Sequence, residues 1–420
     1  MNLNLRAGVS RRDFLRIAGL ATGATVTLPL QAYARFLFDG RPPLRVGMVV
    51  PRSNIHPEIG ANLVDGMRLQ FAESGWESTR LLVREVVSGE EIAAARRLLG
   101  EEKVEILTGM FNPLTVHHLR EELERSGTLL VNIEAGANTF VPREESPLMY
   151  QNSLGYWQSS WAMGKWAAQQ KGTRAAVASS FYETGYDSFH AFSQGFETGG
   201  GTIVCSEVTH APLGGTDPVS AMKAIAAARP DVLFLSAGGK DALDLVAAYH
   251  DAGLKGKLPL IVSGFMVHET QLAGMGAAAA GIMSCLPWTP TLNSAENNAF
   301  CSGFVRACGR QPDSFSVLGY DTGGMIVGAV AAAAGKVQNS RDLKKTLEQL
   351  QISSPRGMMR MVPSTGGTEA PLYLCEVRKV GASFQNMALR TVSTLQTVER
   401  EARRPALIAH SGWTNGYLCA

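Results

Sequence analysis

The stretch Leu44-Arg45-Val46-Gly47-Met48-Val49-Val50-Pro51-Arg52-Ser53-Asn54-Ile55-His56-Pro57-Glu58-Ile59-Gly60 sets a short apolar run ahead of a polar loop and the start of a helical pattern. Residues 44–50 read as a strand and 60–72 as the helix behind it. The unit then repeats. Strands at 80–87, 104–108 and 128–133 alternate with helices at 90–99 and 113–125. A second series opens with a helix at 156–170. It continues with strands at 174–179, 202–208, 231–236 and 258–262, separated by helices at 186–197, 218–228 and 241–252. Short apolar runs between helical patterns are what a parallel sheet buried on both faces requires. Two such series predict an α/β chain of two doubly wound parallel-sheet lobes. Helices at 294–310 and 320–334 then return to the first lobe, and strands at 357–362 and 371–379 flank a Ser364-Thr365-Gly366-Gly367 turn.

Composition supports this reading. A length of 420 residues exceeds one ordinary core, and 45% hydrophobic with 18% charged residues excludes wholesale disorder. The net charge of +2 is too small for a nucleic-acid binder. It is also unevenly placed. Arg6, Arg11, Arg12 and Arg16 against Asp13 give the first 34 residues +3, which leaves −1 for the rest.

That asymmetry marks an address. Ser10-Arg11-Arg12-Asp13-Phe14-Leu15-Arg16 resembles the twin-arginine export motif. A mild apolar stretch, 17–30, and the small-x-small pattern Ala32-Tyr33-Ala34 follow it. The expectation is a signal peptide over 1–34, cleaved near Ala34, a periplasmic mature chain, and the twin-arginine translocase as partner during export. No later stretch reads as long and apolar enough to span a membrane. Cys205, Cys285, Cys301, Cys308, Cys375 and Cys419 lack metal spacing, and both disulfides and isolated core thiols fit their pattern.

In open parallel sheets, ligands sit at the carboxyl ends of strands. The loops expected there are 51–60, 109–113, 134–137, 181–185 and 237–241, each mixing small residues with polar or aromatic ones. They hold no dinucleotide fingerprint, no phosphate-cradling Gly-Lys-Ser/Thr and no nucleophile elbow. His117, His118, Glu121 and Glu122 have metal-compatible spacing but read as a polar helix face. Tyr156, Trp157, Trp161 and Trp166 read as core. The expectation is binding rather than catalysis, with no catalytic residues, metal or cofactor.

Together these features resemble the leucine/isoleucine/valine-binding proteins that serve branched-chain amino-acid ABC transporters, over about residues 44–380. The marks are Val46-Gly47, Gly60 and Gly66, Tyr182-x-x-Gly185, Thr216-Asp217, Asp231-Val232-Leu233 before Gly238, Ala252-Gly253-Leu254, Gly319-Tyr320-Asp321 and Pro355-Arg356-Gly357. The resemblance implies a type I periplasmic-binding fold, with lobes joined by a three-strand hinge that close over ligand. It divides the chain into 44–153 plus 266–350, 154–265 plus 351–395, and a tail from 396 to 420. It places Asn112 at the ligand carboxylate, Glu134 and Gly136 on the next loop, Tyr182 at the family tyrosine and Asp241 at the ligand ammonium. Ile59 and Phe315 would line the side-chain pocket. The implied partners are a small-molecule ligand and the permease and ATPase of an importer.

Two departures carry consequences. Gly136 stands in place of a hydroxyl, and Glu134 brings a carboxylate toward the place of the ligand's own. Either Glu134 points away from the cleft, or the ligand is an amide, urea-like compound or amine. An exported sensor on the same fold is a second reading, and a cofactor-carrying redox enzyme a third. For Asp241, a charge favoured by the helix dipole is the structural alternative.

Overall fold

The computed structural model describes residues 44–52, 57–76, 79–111, 113–136, 148–181, 185–211, 216–333 and 340–402. The first sheet contains β1 (Arg45–Pro51), β2 (Arg80–Val86), β3 (Ile106–Met110), β4 (Leu129–Glu134) and β5 (Met149–Ser153), all parallel, in the order β2-β1-β3-β4-β5. Alternation assigns its two faces. Leu129, Val131 and Ile133 of β4 join the large core cluster with Ile59 and Leu63 of α1 (Glu58–Glu73), whereas Leu130 faces the opposite way. There it packs with Ala95 and Leu98 of α2 (Glu91–Gly100) and with Leu119 and Leu123 of α3 (Pro113–Ser126).

The second lobe opens with α4 (Tyr156–Gln170). Its strands β6 (Arg174–Ser180), β7 (Thr202–Thr209), β8 (Val232–Ser236), β9 (Leu260–Val262) and β10 (Met283–Leu286) form the parallel part of a seven-stranded sheet. Strands β14 (Pro371–Val380) and β15 (Ser383–Thr394) extend it antiparallel, in the order β15-β14-β10-β9-β8-β6-β7. On one face α4 and α5 (Gly185–Thr198) bury Trp161, Phe192 and Phe196 against Val177 and Phe234. On the other, α6 (Pro218–Ala228) and α7 (Gly239–Asp251) cover Ala176, Leu233 and Leu235. Of the four aromatic residues of α4, Tyr156, Trp157 and Trp161 are buried, and Trp166 is partly buried against the core that holds Trp157 and Trp161.

The chain leaves the second sheet later than residue 266. After β9 it runs through a 3-10 turn (Gly264–Val267) and α8 (Glu269–Met275) into β10, which is hydrogen-bonded inside the second sheet. The return to the first lobe therefore follows Leu286, because β10 needs both β9 and β14 as partners. Helices α9 (Ala295–Cys308), α10 (Ser314–Ala332) and α11 (Ser340–Glu348) follow, and α10 packs on α1, β4 and β5. A small antiparallel sheet of β11 (Gln351–Ser354), β12 (Gly357–Met361) and β13 (Thr368–Glu369) makes the last crossing. The expected tail begins as a docked helix, α12 (Leu395–Glu401), which buries Leu395 and Val398 and pairs Glu401 with Lys165 of α4 at 2.8 Å.

Helix α10 begins six residues before the expected 320 and is long and apolar enough to cross a membrane. Most of it is buried inside the first lobe, which accounts for its composition. Small residues set its packing. A Cβ on Gly66 would run into the Ser316 carbonyl, and one on Gly319 into that of Leu63, so α1 and α10 touch backbone to backbone. Gly164 and Gly195 do the same between α4 and α5.

The crossings meet at Arg356, which is 0% exposed. Its Nε donates to Asp321 Oδ2 of α10 at 2.8 Å, Nη1 to the Ser153 carbonyl at 2.8 Å, and Nη2 to Asn152 Oδ1 at 2.9 Å. One guanidinium thus ties the first crossing, the last crossing and the main return helix. Asp321 and Arg356, each read above as a mark of family likeness, are partners in space. Among the described residues Cys205, Cys285, Cys301, Cys308 and Cys375 are free thiols, and Cys419 lies outside them.

Candidate functional site

Each sheet reverses its strand order once. In the first, β1 has β2 on one side and β3 on the other; in the second, β6 lies between β7 and β8. The helices that follow such neighbouring strands go to opposite faces, so a crevice opens at their carboxyl ends. The first crevice is bordered by Pro51 at the end of β1, by Arg52 after it and by Phe111 after β3. The second is bordered by Phe181 after β6 and by Ala237 and Gly238 after β8.

In the first lobe the crevice is built tightly. Gly109 has φ +143° and pairs with Val49, whose carbonyl a Cβ would meet. Asn132, buried on β4, clamps the next turn: its Oδ1 accepts from the Phe111 N–H at 3.0 Å and its Nδ2 donates to the Phe111 carbonyl at 3.1 Å. That clamp orients the chain leading to residue 112. Asn112 itself lies outside the described residues. Ile59 is fully buried in the first turn of α1, and Phe315, at 3% exposure, lies beside the His268 ring with centroids 5.6 Å apart. Both belong to one apolar cluster with Ala135 and Tyr156.

Glu134 ends β4 half-buried. The carbonyls of Glu134, Ala135 and Gly136 accept the N–H groups of Leu154, Tyr156 and Trp157 at 3.1, 3.1 and 2.7 Å, which leads the chain into α4. Gly136 has φ +69°, and a Cβ there would strike Ser153 Oγ and the Gly155 backbone. The absence of a hydroxyl at this position has a steric cause: no side chain fits.

The second crevice carries the charge. Asp241 stands in the first turn of α7, where the helix dipole favours an acid. Its Oδ2 accepts from Ser180 Oγ at 2.6 Å, and its Oδ1 lies 3.6 Å from His210 Nε2. The same nitrogen is 3.7 Å from Asp244 Oδ2, and Asp244 pairs with Lys240. Tyr182 lies outside the described residues.

The seven residues expected at the site therefore fall into three groups. Ile59, Glu134, Gly136 and Phe315 occupy the first-lobe side and its passage to the second lobe, Asp241 the second-lobe side, and Asn112 and Tyr182 are not described. Sequence reasoning missed Asn132, Ser180 and His210. Asn132 carries a signal, since a lone amide interrupts the apolar run Leu129-Leu130-Val131. His210, just past the end of β7, carries none. His117 and His118 are exposed on α3, as a polar helix face requires.

The protein-family model described as periplasmic binding protein matches residues 43–382. The chain belongs to that family. This periplasmic binding protein is 25% identical over 361 residues to the Leu/Ile/Val-binding protein homolog 6 of Brucella melitensis, covering 83% of this chain and 91% of the relative. Among solved structures it is similar to an ABC transporter substrate-binding protein from Sphaerobacter thermophilus. That pair shares 26% identity with a TM-score of 0.76, over 84% of this chain and 98% of that one. It is also similar to a solute-binding protein of an ABC transporter from Rhodopseudomonas palustris HaA2 in complex with p-hydroxybenzoic acid. There the identity is 28% and the TM-score 0.72, over 84% of this chain and 97% of that one. The type I periplasmic-binding fold and the family likeness to Leu/Ile/Val-binding proteins thus stand together.

Proposed function

We propose that this periplasmic binding protein is the non-catalytic substrate-binding component of an ABC importer. It captures a branched-chain amino acid or related small polar solute between its lobes and delivers it to a permease driven by an ATPase. The observation that carries the reading is the carboxylate of Asp241, fixed by Ser180 at the carboxyl edge of the second sheet, in a chain whose first sheet carries the Asn132-clamped turn at its own carboxyl edge. A carboxylate held by one hydroxyl keeps acceptor capacity for a ligand ammonium. Binding between two lobes desolvates that pair, and closure presents the loaded form to the membrane partner. Asn112, Tyr182, Ile59, Glu134, Gly136 and Phe315 complete the proposed site. Export through the twin-arginine translocase, with cleavage near Ala34, supplies the location.

An aromatic carboxylic acid is the second reading, favoured by the p-hydroxybenzoic acid held by the Rhodopseudomonas relative. Thermal-shift and calorimetric titration against leucine, isoleucine, valine, small amides and 4-hydroxybenzoate separates these classes. A ligand specific for the folded state at 100 times its Kd raises stability by about 2.7 kcal/mol, a readable shift. Asp241→Ala is expected to weaken amino-acid binding at least tenfold, by analogy with other buried charge-assisted contacts at interfaces, with the midpoint of the ligand-free protein nearly unchanged. Normal binding by that variant refutes the placement of the site.

A further inference from the structure

We infer that the proton of His210 competes with the ligand ammonium for the Asp241 carboxylate. The inference rests on the site proposed above and deepens it. Three observations carry it. His210 stands at the carboxyl edge of the sheet with φ +59°, a left-handed conformation that costs a residue with a Cβ and needs the surroundings to hold it. Its ring is fixed at one end, Nδ1 lying 2.7 Å from Thr209 Oγ1. Its other end, Nε2, is directed between Asp241 Oδ1 at 3.6 Å and Asp244 Oδ2 at 3.7 Å. The strained backbone therefore carries the imidazole from the edge strand β7 across the end of β6 to the acid that follows β8.

The consequence follows from accounting for the oxygens. Ser180 occupies Asp241 Oδ2, which leaves Oδ1 as the face open to a cation, and His210 borders that face. A neutral ring, at 3.6 Å and beyond hydrogen-bond reach, leaves the carboxylate its full charge. An imidazolium neutralises it, so an arriving ammonium must displace the proton. Among the described residues, α7 presents Asp241, Asp244 and the Lys240 paired with it to the ring, and β6 presents Ser180. Asp217, at the start of α6, accepts from Val219 and Ser220 of its own helix. Amino-acid affinity should therefore fall toward acid as the ring takes up its proton.

The test is calorimetric titration of the full mature chain with L-leucine, L-isoleucine and L-valine from pH 5.5 to 8.5. The wild type, His210→Gln, His210→Leu and Asp241→Ala are compared. In the wild type, affinity is expected to rise about tenfold from pH 5.5 to 8, with proton release on binding. His210→Leu, which removes the competing proton, is expected to bind as tightly as the wild type at pH 8. His210→Gln and His210→Leu, neither of which can take a charge, are expected to show less than a twofold change across the pH range. A His210→Gln profile that parallels the wild type overturns the inference while leaving the site reading intact, provided Asp241→Ala still weakens binding. Normal binding by Asp241→Ala overturns both. Failure of all three amino acids to bind overturns the inference, because it requires a ligand with an ammonium group, and leaves the solute-binding role to the aromatic acid.

Discussion

Replacement of Arg356 by Met tests the account of the hinge. Arg356 and Asp321 are 0% and 1% exposed, and the guanidinium serves three oxygen acceptors on two segments, α10 and β5. Met fills much of the volume and removes every donor. Breaking a buried ion pair from one side costs about 3–5 kcal/mol, because the remaining charge is left in a dry site. The Ser153 carbonyl and Asn152 Oδ1 lose partners as well, at about 1–3 kcal/mol for each group left unsatisfied. These losses share one side chain and do not add, so the expected destabilisation is about 4 kcal/mol near neutral pH. A double replacement, Arg356→Met with Asp321→Leu, removes the orphaned charge and should return to within about 2 kcal/mol of the wild type, since apolar substitutes for buried pairs are often neutral.

The cost in Arg356→Met has a definite pH dependence. Burial pushes the Asp321 carboxyl above its ordinary range and Arg356 pulls it down. Without Arg356 the upward push of burial is opposed only by the Ser354 hydrogen bond. A carboxyl raised in the folded state contributes stability that is full below its unfolded value and lost as pH rises through the folded one. The single variant should therefore lose less at pH 5 than at pH 8. Urea unfolding followed by both tryptophan fluorescence and circular dichroism gives the free energies, with coincidence of the two curves as the check on two-state behaviour. A loss below about 1 kcal/mol in the single variant, or a double variant no more stable than the single, refutes the argument.

The helix contact in the first lobe is equally exposed to test. Gly66→Ala and Gly319→Ala should each destabilise by about 1–3 kcal/mol, because the added methyl forces α1 and α10 apart; unchanged urea midpoints would show that the helices yield freely. Burial raises the Cys285 thiol to about 12, and it pushes Cys375 well up as well. Both should resist Ellman's reagent at pH 8 until the protein is unfolded, and rapid native labelling of either would contradict their placement. As their folded values lie above the unfolded one, the stability they contribute is full below the ordinary thiol range and is lost only on alkaline titration above it.

Much of the fold was legible because burial leaves a period in the letters. The apolar runs at β1, β3, β4, β6 and β8 are buried on both faces, and α4 and α6 were bounded correctly from pattern alone. The elements missed have polar faces or short length. Strand β5 reads Met149-Tyr150-Gln151-Asn152-Ser153, with polar groups that find partners only in tertiary contacts with Arg356, α10 and α11, and β15 is an edge strand with exposed residues. The 266 boundary was misplaced for a related reason: four residues of β10 signal nothing until β9 and β14 flank them.

The candidate site divides along the same line. Its loops could be named from sequence, since they must follow strands whose order is fixed by short right-handed crossovers. What each side chain meets could not. The bond that fixes Asp241 comes from Ser180 on another strand, with His210 beyond a second strand bordering its free oxygen, the support of the Phe111 turn comes from Asn132 on β4, and Gly136 is enforced by Ser153 and Gly155 across a crossing. Sequence by itself determined the alternating elements, the two lobes and the family likeness, because hydrophobic period and turn residues act over neighbouring positions. Tertiary structure alone decided the hinge clamp at Arg356 and the partners of Asp241, because a buried charge is matched through space by whichever groups the fold brings to it.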